Sequence, residues 1–287
     1  MAFITRFAPS PTGRLHLGHA YSALVADAAA KAENGTFLLR LEDIDRTRCK
    51  PEFEDGVYED LAWLGLSWPA PVRRQSDHFD AYAAALQTLQ DKGLVYRCFK
   101  TRKEVLAEIA NAPHLGPAGP EGPAYIGAPL PAAEERALVD AGAPHAWRLS
   151  LAAARETLGA AWADLSFQEG GRGPNGETGK IRAAPEMFGD IIIARKDAGT
   201  SYHLAAVHDD AAQGVTHVIR GEDLFAASHV HVLLQALLDL PQPVYRHHRL
   251  ITDENGKRYA KRDESVTLRA LRTAGQTPAA VKAQLGF

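Results

Sequence analysis

Apolar residues first gather at Phe3-Ile4-Thr5-Arg6-Phe7-Ala8, a run with β-branched and aromatic members that reads as a short strand. Pro9-Ser10-Pro11-Thr12-Gly13, a string of turn formers, ends it. From Leu17 to Lys31, small and apolar side chains such as Ala20, Leu24 and Ala28 recur at helical spacing, and Gly35 stops the helix they predict. Thr36-Phe37-Leu38-Leu39-Arg40-Leu41 reads as a buried strand, followed by the acidic cluster Glu42, Asp43 and Asp45. Further helices are expected over Pro51 to Leu64 and over Asp77 to Lys92, before Gly93. Strand and helix alternating at these spacings predict an α/β fold, a parallel sheet with crossover helices.

The pattern then changes. Asn111 to Pro131 is dense in Gly, Pro and Ala, and Gly170 to Gly179 is a second loop of that kind. Residues 96–184 therefore read as an inserted, loop-rich module between a first half, 1–95, and a second half, 185–245, with 246–287 as a terminal loop and short helical tail. The sheet is expected to resume at Asp190 to Arg195, with Tyr202 to Val207 as a second apolar run and Val215 to Arg220 as a third strand candidate. A helix over Ser228 to Leu238 follows. Neither internal repeats nor coiled-coil heptads occur.

With 287 residues and 46% apolar side chains, the chain is long enough for one sizeable core or two modest ones. A charged fraction of 23% argues against wholesale disorder. The net charge of -3 provides no global field for nucleic acid, so an RNA partner needs a local basic surface. Two cysteines, Cys49 and Cys98, build no disulfide framework and read as free thiols. The N-terminal residues lack the apolar stretch of a signal peptide, and no stretch reaches the roughly 20 apolar residues of a membrane span. A cytoplasmic location is the expectation.

The candidate chemistry starts where the first strand turns into the first helix. Backbone N–H groups at that helix N-terminus make an anion site. His16 and His19 lie three apart and share a face, while Gly18 between them lets a base or ribose approach the backbone. Imidazole donors there suit a phosphate whose charge grows in a transition state. Metal ligation is the poorer reading, because no cysteine or acidic residue stands at the next helical spacing.

The block Arg6-Phe7-Ala8-Pro9-Ser10-Pro11-Thr12-Gly13-Arg14-Leu15-His16-Leu17-Gly18-His19 resembles the first signature of the class I glutamyl-tRNA synthetases, well beyond its four-residue "HIGH" core. Leu39 to Asp45, Tyr202 to Asp210 and Thr216 to Asp223 resemble three further blocks of that family, in family order. The resemblance implies a Rossmann-like class I catalytic fold with an inserted connective module. It implies ATP binding by Pro9, Thr12, Gly13, His16, Gly18, His19 and Lys261, with Mg²⁺ accompanying the ATP. For glutamate it implies Arg6, Ala8 and Ser10, with Glu42 for the ammonium and Tyr202 and Arg220 for the side-chain end. The residue types suit an amino acid with two carboxylates, since a guanidinium meets a carboxylate in a fork and a carboxylate meets an ammonium. On the residues alone, a structural ion pair is the favoured reading of Glu42 and Arg220, and the ordered blocks of the resemblance reverse it.

Arg258-Tyr259-Ala260-Lys261-Arg262 resembles the family's "KMSKS" loop in altered form. Lys261 keeps the lysine position, a compact charge for a moving pyrophosphate, while Arg258 replaces the first lysine and Ala260 removes a hydroxyl. In short relatives the inserted module holds zinc through Cys-x-Cys and Tyr-x-x-x-Cys. Here Lys100 and Pro129 replace two of those cysteines while Cys98 and Tyr125 remain, so zinc is expected to be absent. Trp147, Leu149, Trp162 and Leu165 are the apolar side chains expected to hold the module instead.

Only Asp263 to Phe287 follow the loop, room for one or two short helices. The resemblance therefore points to the truncated branch, the glutamyl-queuosine tRNA(Asp) synthetases, which activate glutamate without tRNA and join it to the queuosine base of the tRNA(Asp) anticodon. His16, His19 and Lys261 then stabilise the transferring phosphates, and Arg46, Arg48, Arg73 and Arg74 are candidates to meet RNA phosphates. Two other readings stay open: a glutamyl-tRNA synthetase catalytic fragment charging tRNA(Glu), and a non-catalytic nucleotide- or RNA-binding module.

Overall fold

The computed structural model describes residues 2–111, 118–120, 122–252 and 266–287. Strand β1 (Ile4–Phe7) passes through the Pro/Gly turn into helix α1 (Leu17–Ala32) and returns as β2 (Thr36–Leu41), parallel to β1. The return is tight: Thr36 N–H donates to the Phe3 carbonyl at 2.8 Å, and a Cβ at Gly35 would collide with that same carbonyl. After α2 (Pro51–Trp63), the two-residue β3 (Arg73–Arg74) joins the free edge of β2 in parallel, and α3 (Phe79–Asp91) closes the half.

A different arrangement follows. It comprises β4 (Val95–Cys98), α4 (Arg102–Asn111), the paired β5 (Ala118–Gly119) and β6 (Gly122–Pro123), and α5 (Ala132–Asp140). Next come β7 (Ala146–Leu149), α6 (Leu151–Leu158), α7 (Ala161–Asp164), β8 (Ser166–Glu169), β9 (Gly179–Arg182) and β10 (Ile192–Ala194). Strands β4, β7 and β10 form an antiparallel sheet with β7 in the middle. The chain continues through α8 (Tyr202–Ala212), β11 (His217–Gly221), α9 (Ala227–Leu237) and β12 (Val244–His248) to α10 (Leu268–Thr273) and α11 (Pro278–Leu285).

Strands β11 and β12 are parallel, and β8 and β9 extend their sheet in the order β11-β12-β8-β9. Strand β11 lies beside β1: Thr216 N–H donates to the Ile4 carbonyl and Ile4 N–H to Thr216 Oγ1, both at 2.9 Å. The two halves thus meet along their central strands, where an α/β sheet opens a crevice at its strand ends.

Three sequence expectations change. Residues 190–195 do not resume the parallel sheet; β10 pairs antiparallel with β7. Tyr202 to Val207 is the first part of a helix. Ser201 caps it through Oγ, accepting from Leu204 N–H, and α8 is buried on nearly every side, so no amphipathic period marks it as helical. Finally, β8 and β9 fall within 96–184 yet pair with the second half's sheet. One continuous apolar core joins Leu149 and Leu165 of that segment, with Trp147 and Trp162 packed at its edge, to Leu204, Val218 and Leu233. A second core lies under α1, β1, β2 and α2 and takes in Leu268, Val281 and Leu285 of the last two helices. Among the described residues, no helix is long and apolar enough to cross a membrane.

Candidate active site

The crevice where β1 and β11 end is a cleft of about 550 Å³. Its walls include Arg6, Ala8, Pro9, Ser10, His16, Gly18, His19, Glu42, Tyr202 and Arg220, drawn from β1, the following turn, α1, the end of β2, α8 and β11. Thr12 and Gly13 do not line it, and Lys261, Arg258 and Ala260 lie outside the described residues. The flanks of that loop are at the cleft. Leu250 and Ile251 line it, and Thr267 bridges to His16 while Leu268 N–H donates to the Leu15 carbonyl at 2.9 Å. Tyr21, Ser22, Asp223, His248 and Arg249 also contribute, unanticipated from sequence.

His16 is the N-cap of α1. Its Nδ1 accepts the Gly18 N–H at 3.1 Å, and its own N–H donates to His19 Nδ1 at 3.2 Å, so the two imidazoles complete a reciprocal capping box. Each Nδ1 is an acceptor, and each neutral ring therefore carries its proton on Nε2. The rings lie close, with centroids 3.8 Å apart and planes tilted by 41°. Two N–H donors of fixed tautomer thus accompany the positive end of a 16-residue helix.

Beneath the cleft lies a buried charge network that joins the halves. Arg6 donates to Asp210 through Nε at 2.9 Å and Nη2 at 3.3 Å. Arg40, fully buried within β2, donates to Asp210 Oδ1 at 2.8 Å and Glu42 Oε1 at 3.1 Å. Asp209 takes bonds from Arg73 at 2.7 Å, Gln75 at 3.0 Å and the Tyr82 hydroxyl at 2.8 Å. Burial alone would raise both aspartates, but the guanidiniums of Arg6 and Arg40 hold Asp210 low, and the His208 imidazole at its side with the Arg40 and Arg73 charges holds Asp209 down to about 2. Burial wins at Glu42, whose carboxyl is pushed up despite Arg40 and Arg6. Arg73 is engaged within the protein by Asp209, and the partly exposed Arg74 pairs with Glu54 at 2.8 Å. Arg46 stacks over the Phe79 ring at 5.0 Å.

Arg220 is buried and held from several directions. Nε donates to His247 Nε2 at 3.2 Å, Nη2 to Ser228 Oγ at 2.8 Å, and Nη1 to the Tyr202 hydroxyl at 3.2 Å with His231 Nδ1 at 3.4 Å. The Tyr202 oxygen accepts from Arg220, which leaves its O–H proton to donate elsewhere. Asp210, Arg40, Ser228, His231, Glu169 and His247 were not singled out from sequence. The signals for them were an arginine inside the apolar run of β2 and the acidic pair 209–210.

Around Cys98 and Tyr125, where the resemblance implied a degenerate zinc site, the Lys100 ammonium lies 2.5 Å from Glu108 Oε2 and 3.3 Å from the Tyr125 hydroxyl. A cation already stands among these groups, and the donor set does not fit zinc. Among the described residues, no three His, Cys, Asp or Glu side chains are grouped to hold a metal.

The family model for tRNA synthetases class I (E and Q), catalytic domain, matches residues 2–286. The glutamyl-Q tRNA(Asp) synthetase of Rhodobacter capsulatus is 48% identical over 292 residues, covering 99% of this chain and 100% of the relative. Glutamate–tRNA ligase 2 of Acidiphilium cryptum is 39% identical, covering 94% of this chain and 57% of its own length. Among solved structures, a glutamate tRNA ligase from Elizabethkingia meningosepticum in complex with its amino acid superposes with a TM-score of 0.71 at 28% identity, over 92% of this chain. This chain spans 52% of that ligase. The match of the family model from end to end, over a crevice that gathers the histidine pair with Arg6, Glu42 and Arg220, shows that the chain belongs to the class I tRNA synthetases of the glutamate and glutamine type.

Proposed function

We propose that the chain activates glutamate with ATP in the absence of tRNA and transfers the glutamyl group to the queuosine base in the anticodon of tRNA(Asp). The observation that carries the glutamate half is Arg220, a buried guanidinium fixed at the cleft with the Tyr202 hydroxyl on one of its nitrogens. Four of its five N–H groups are engaged by protein. A side-chain carboxylate therefore meets the fifth, together with the Tyr202 O–H, rather than an empty fork. Arg6, locked by Asp210, offers a second cation at the same cleft, and Glu42 offers a carboxylate for the ammonium.

In the first step an oxygen of the glutamate α-carboxylate attacks the ATP α-phosphorus. The bond from that phosphorus to the bridging oxygen breaks, and pyrophosphate leaves with the electron pair. The Nε2–H groups of His16 and His19 and the α1 N-terminus stabilise charge on the transferring phosphates, with Lys261 assigned to the leaving pyrophosphate. Mg²⁺, which class I synthetases use with ATP, neutralises phosphate charge and comes with the nucleotide rather than in a protein cage. In the second step a cyclopentenediol hydroxyl of queuosine attacks the glutamyl carbonyl. An ester forms, the hydroxyl proton is lost, and AMP departs.

Support for this acceptor comes from the glutamyl-Q relative, which aligns over its full length. A second cleft, of about 790 Å³, adjoins the first at Tyr202. Arg102, Arg148 and Lys196 line it together with Asp190, Lys100 paired to Glu108 and Arg195 paired to Asp197, so it offers a mixed polar wall with a basic excess to an unstacked nucleotide. The test is glutamate-dependent ATP–pyrophosphate exchange without tRNA, followed by labelled glutamate on tRNA(Asp) with and without queuosine. Exchange that requires tRNA(Glu), or loading that ignores the modification, defeats the proposal.

A further inference from the structure

Behind Arg220 stands a pair of side chains that the two-step chemistry does not use. Glu169, at the end of β8, and His247, on β12, are both buried and meet at 2.5 Å between Oε2 and Nδ1. Glu169 Oε1 accepts two backbone N–H groups, from Gly171 at 2.8 Å and from His247 at 2.9 Å. Across the ring, His247 Nε2 takes the Nε–H of Arg220 at 3.2 Å and lies 3.4 Å from Ser228 Oγ, a hydroxyl that accepts from Arg220 Nη2 and so has its own proton to donate to that nitrogen. The His247 ring is also fixed in place, parallel to Tyr245 with 1° between the planes.

These bonds admit one arrangement of protons. Arg220 Nε only donates, so His247 Nε2 must be the lone-pair nitrogen, and the ring proton sits on Nδ1 and points at Glu169. Burial keeps the imidazole below its usual range, hence neutral. Burial alone would raise Glu169, but the bonds from His247 and the backbone hold its carboxyl below the ordinary value.

We propose that Glu169 is a positioning residue for glutamate selection, which fixes the Nδ1–H tautomer of His247 and so keeps an acceptor under the Arg220 guanidinium. This rests on the reading that Arg220 receives the substrate's side-chain carboxylate. The carboxylate and the imidazole act through Arg220 and need not touch the substrate. The pair turns a strand-buried anion into orientation of the cleft cation, in the way an outer carboxylate sets the tautomer of a metal-bound histidine.

Glu169→Gln is nearly isosteric and inverts the arrangement. Its one amide oxygen is claimed by the N–H groups of Gly171 and His247, so its NH₂ faces His247 Nδ1. The ring must then accept at Nδ1 and carry its proton on Nε2, where it meets Arg220 Nε–H, donor against donor. In the tRNA-free exchange assay, KM for glutamate rises roughly 10- to 150-fold, the effect of one charged hydrogen bond, while KM for ATP stays close to wild type. Preference for glutamate over glutamine falls with it. Long-range ¹H–¹⁵N correlation of histidine rings reads the tautomer directly, with His247 assigned by its loss in His247→Gln. The wild-type ring shows Nδ1–H and the Glu169→Gln ring shows Nε2–H.

A second pair of variants does not depend on Glu169→Gln folding. His247→Gln keeps an acceptor oxygen and raises the glutamate KM less than His247→Leu, which keeps none. Adding His247→Gln to Glu169→Gln lowers the raised KM, a rescue that a purely structural role does not give. An unchanged tautomer in Glu169→Gln, or equal KM values in the two His247 variants, overturns the proposal. A switched tautomer with a wild-type glutamate KM overturns it through the assignment of Arg220 on which it rests.

Discussion

Replacing Asp210 by Asn keeps the shape of the side chain and removes one charge from the middle of the buried network. Asp210 accepts from Arg6 Nε at 2.9 Å, Arg6 Nη2 at 3.3 Å and Arg40 Nη1 at 2.8 Å, and is almost wholly buried. An amide offers one acceptor atom in place of two and turns the other into a donor that faces a guanidinium. Removing one partner of a buried pair costs about 3–5 kcal/mol. The low end applies because Glu42 and Asp209 still face Arg40, at 3.1 and 3.9 Å. A loss of about 3 kcal/mol at about 2–4 °C per kcal/mol corresponds to a Tm lower by roughly 6–12 °C. The functional effect is separate: Arg6 loses the anchor that aims it into the cleft. One charge-assisted hydrogen bond, about 1.5–3 kcal/mol, raises KM for glutamate roughly ten- to 150-fold, with KM for ATP little changed. The pH dependence has a definite sign. Asp210 is depressed in the folded state, so its stabilisation is present above the ordinary carboxylate value and is lost as pH falls below it. The Tm gap between wild type and variant is thus steady near neutrality and narrows below about pH 4. Thermal melts across pH, with exchange kinetics at fixed ATP, measure both effects. A variant that melts with wild type and keeps its glutamate KM refutes the reasoning.

His16→Ala and His19→Ala each lower glutamate-dependent exchange roughly 100- to 1,000-fold while ATP still binds; calorimetric ATP titration alongside the kinetics checks this. Asp60, whose two carboxylate oxygens lack hydrogen bonds, is pushed up to about 6 by burial in spite of Arg272 and Arg14. Its folded value lies above the unfolded one, so it favours folding only while protonated and opposes it as pH rises through about 6. Asp60→Asn therefore raises Tm at about pH 8 more than at about pH 4, and a gap that does not change with pH contradicts this. Chelator treatment leaves the Tm unchanged and metal analysis finds no stoichiometric zinc, because Lys100 already stands between Glu108 and Tyr125; one zinc per chain defeats that account.

What the sequence disclosed was chemistry carried by neighbours in the chain. The strand, the Pro/Gly turn and the His16–His19 helix start are contiguous, and they form over Ile4–Phe7 and Leu17–Ala32. What it concealed was assembled across long separations, as in the bonds from Arg6 and Arg40 to Asp210, 204 and 170 residues away. Helix α8 was hidden because tertiary burial covers it on both faces and erases the period on which a helix reading depends. Strand β12 was hidden because His247 and His248 break its apolar run, and His247 is polar for the sake of Arg220 and Glu169. One clue was legible. An arginine within Thr36–Leu41 cannot be buried alone, so Arg40 announced that carboxylates must converge on β2 from elsewhere in the chain.

The cleft's polar groups share one physical arrangement, and it explains why so many of their partners are buried. Arg6 is held by Asp210, and Arg220 by His247 with Glu169 behind it. The Nε2–H tautomers of His16 and His19 are set by backbone N–H groups at the start of α1. In each case the end that faces the substrate is fixed by acceptors or donors on the far side, so orienting it costs little when ligand arrives. A donor fixed in this way favours charge that develops at one place, which is what in-line attack on phosphorus requires, over charge spread through the cleft. The arrangement also ties catalysis to the junction of the two halves. Asp210 lies on α8, Arg6 on β1 and Arg40 on β2, so the ion pairs that aim the cleft also join the halves that form it. A substitution in that network should therefore move stability and glutamate affinity together, whereas one at His16 or His19 should act mainly on the rate, with a smaller stability loss of about 0.5–2 kcal/mol from the broken capping box.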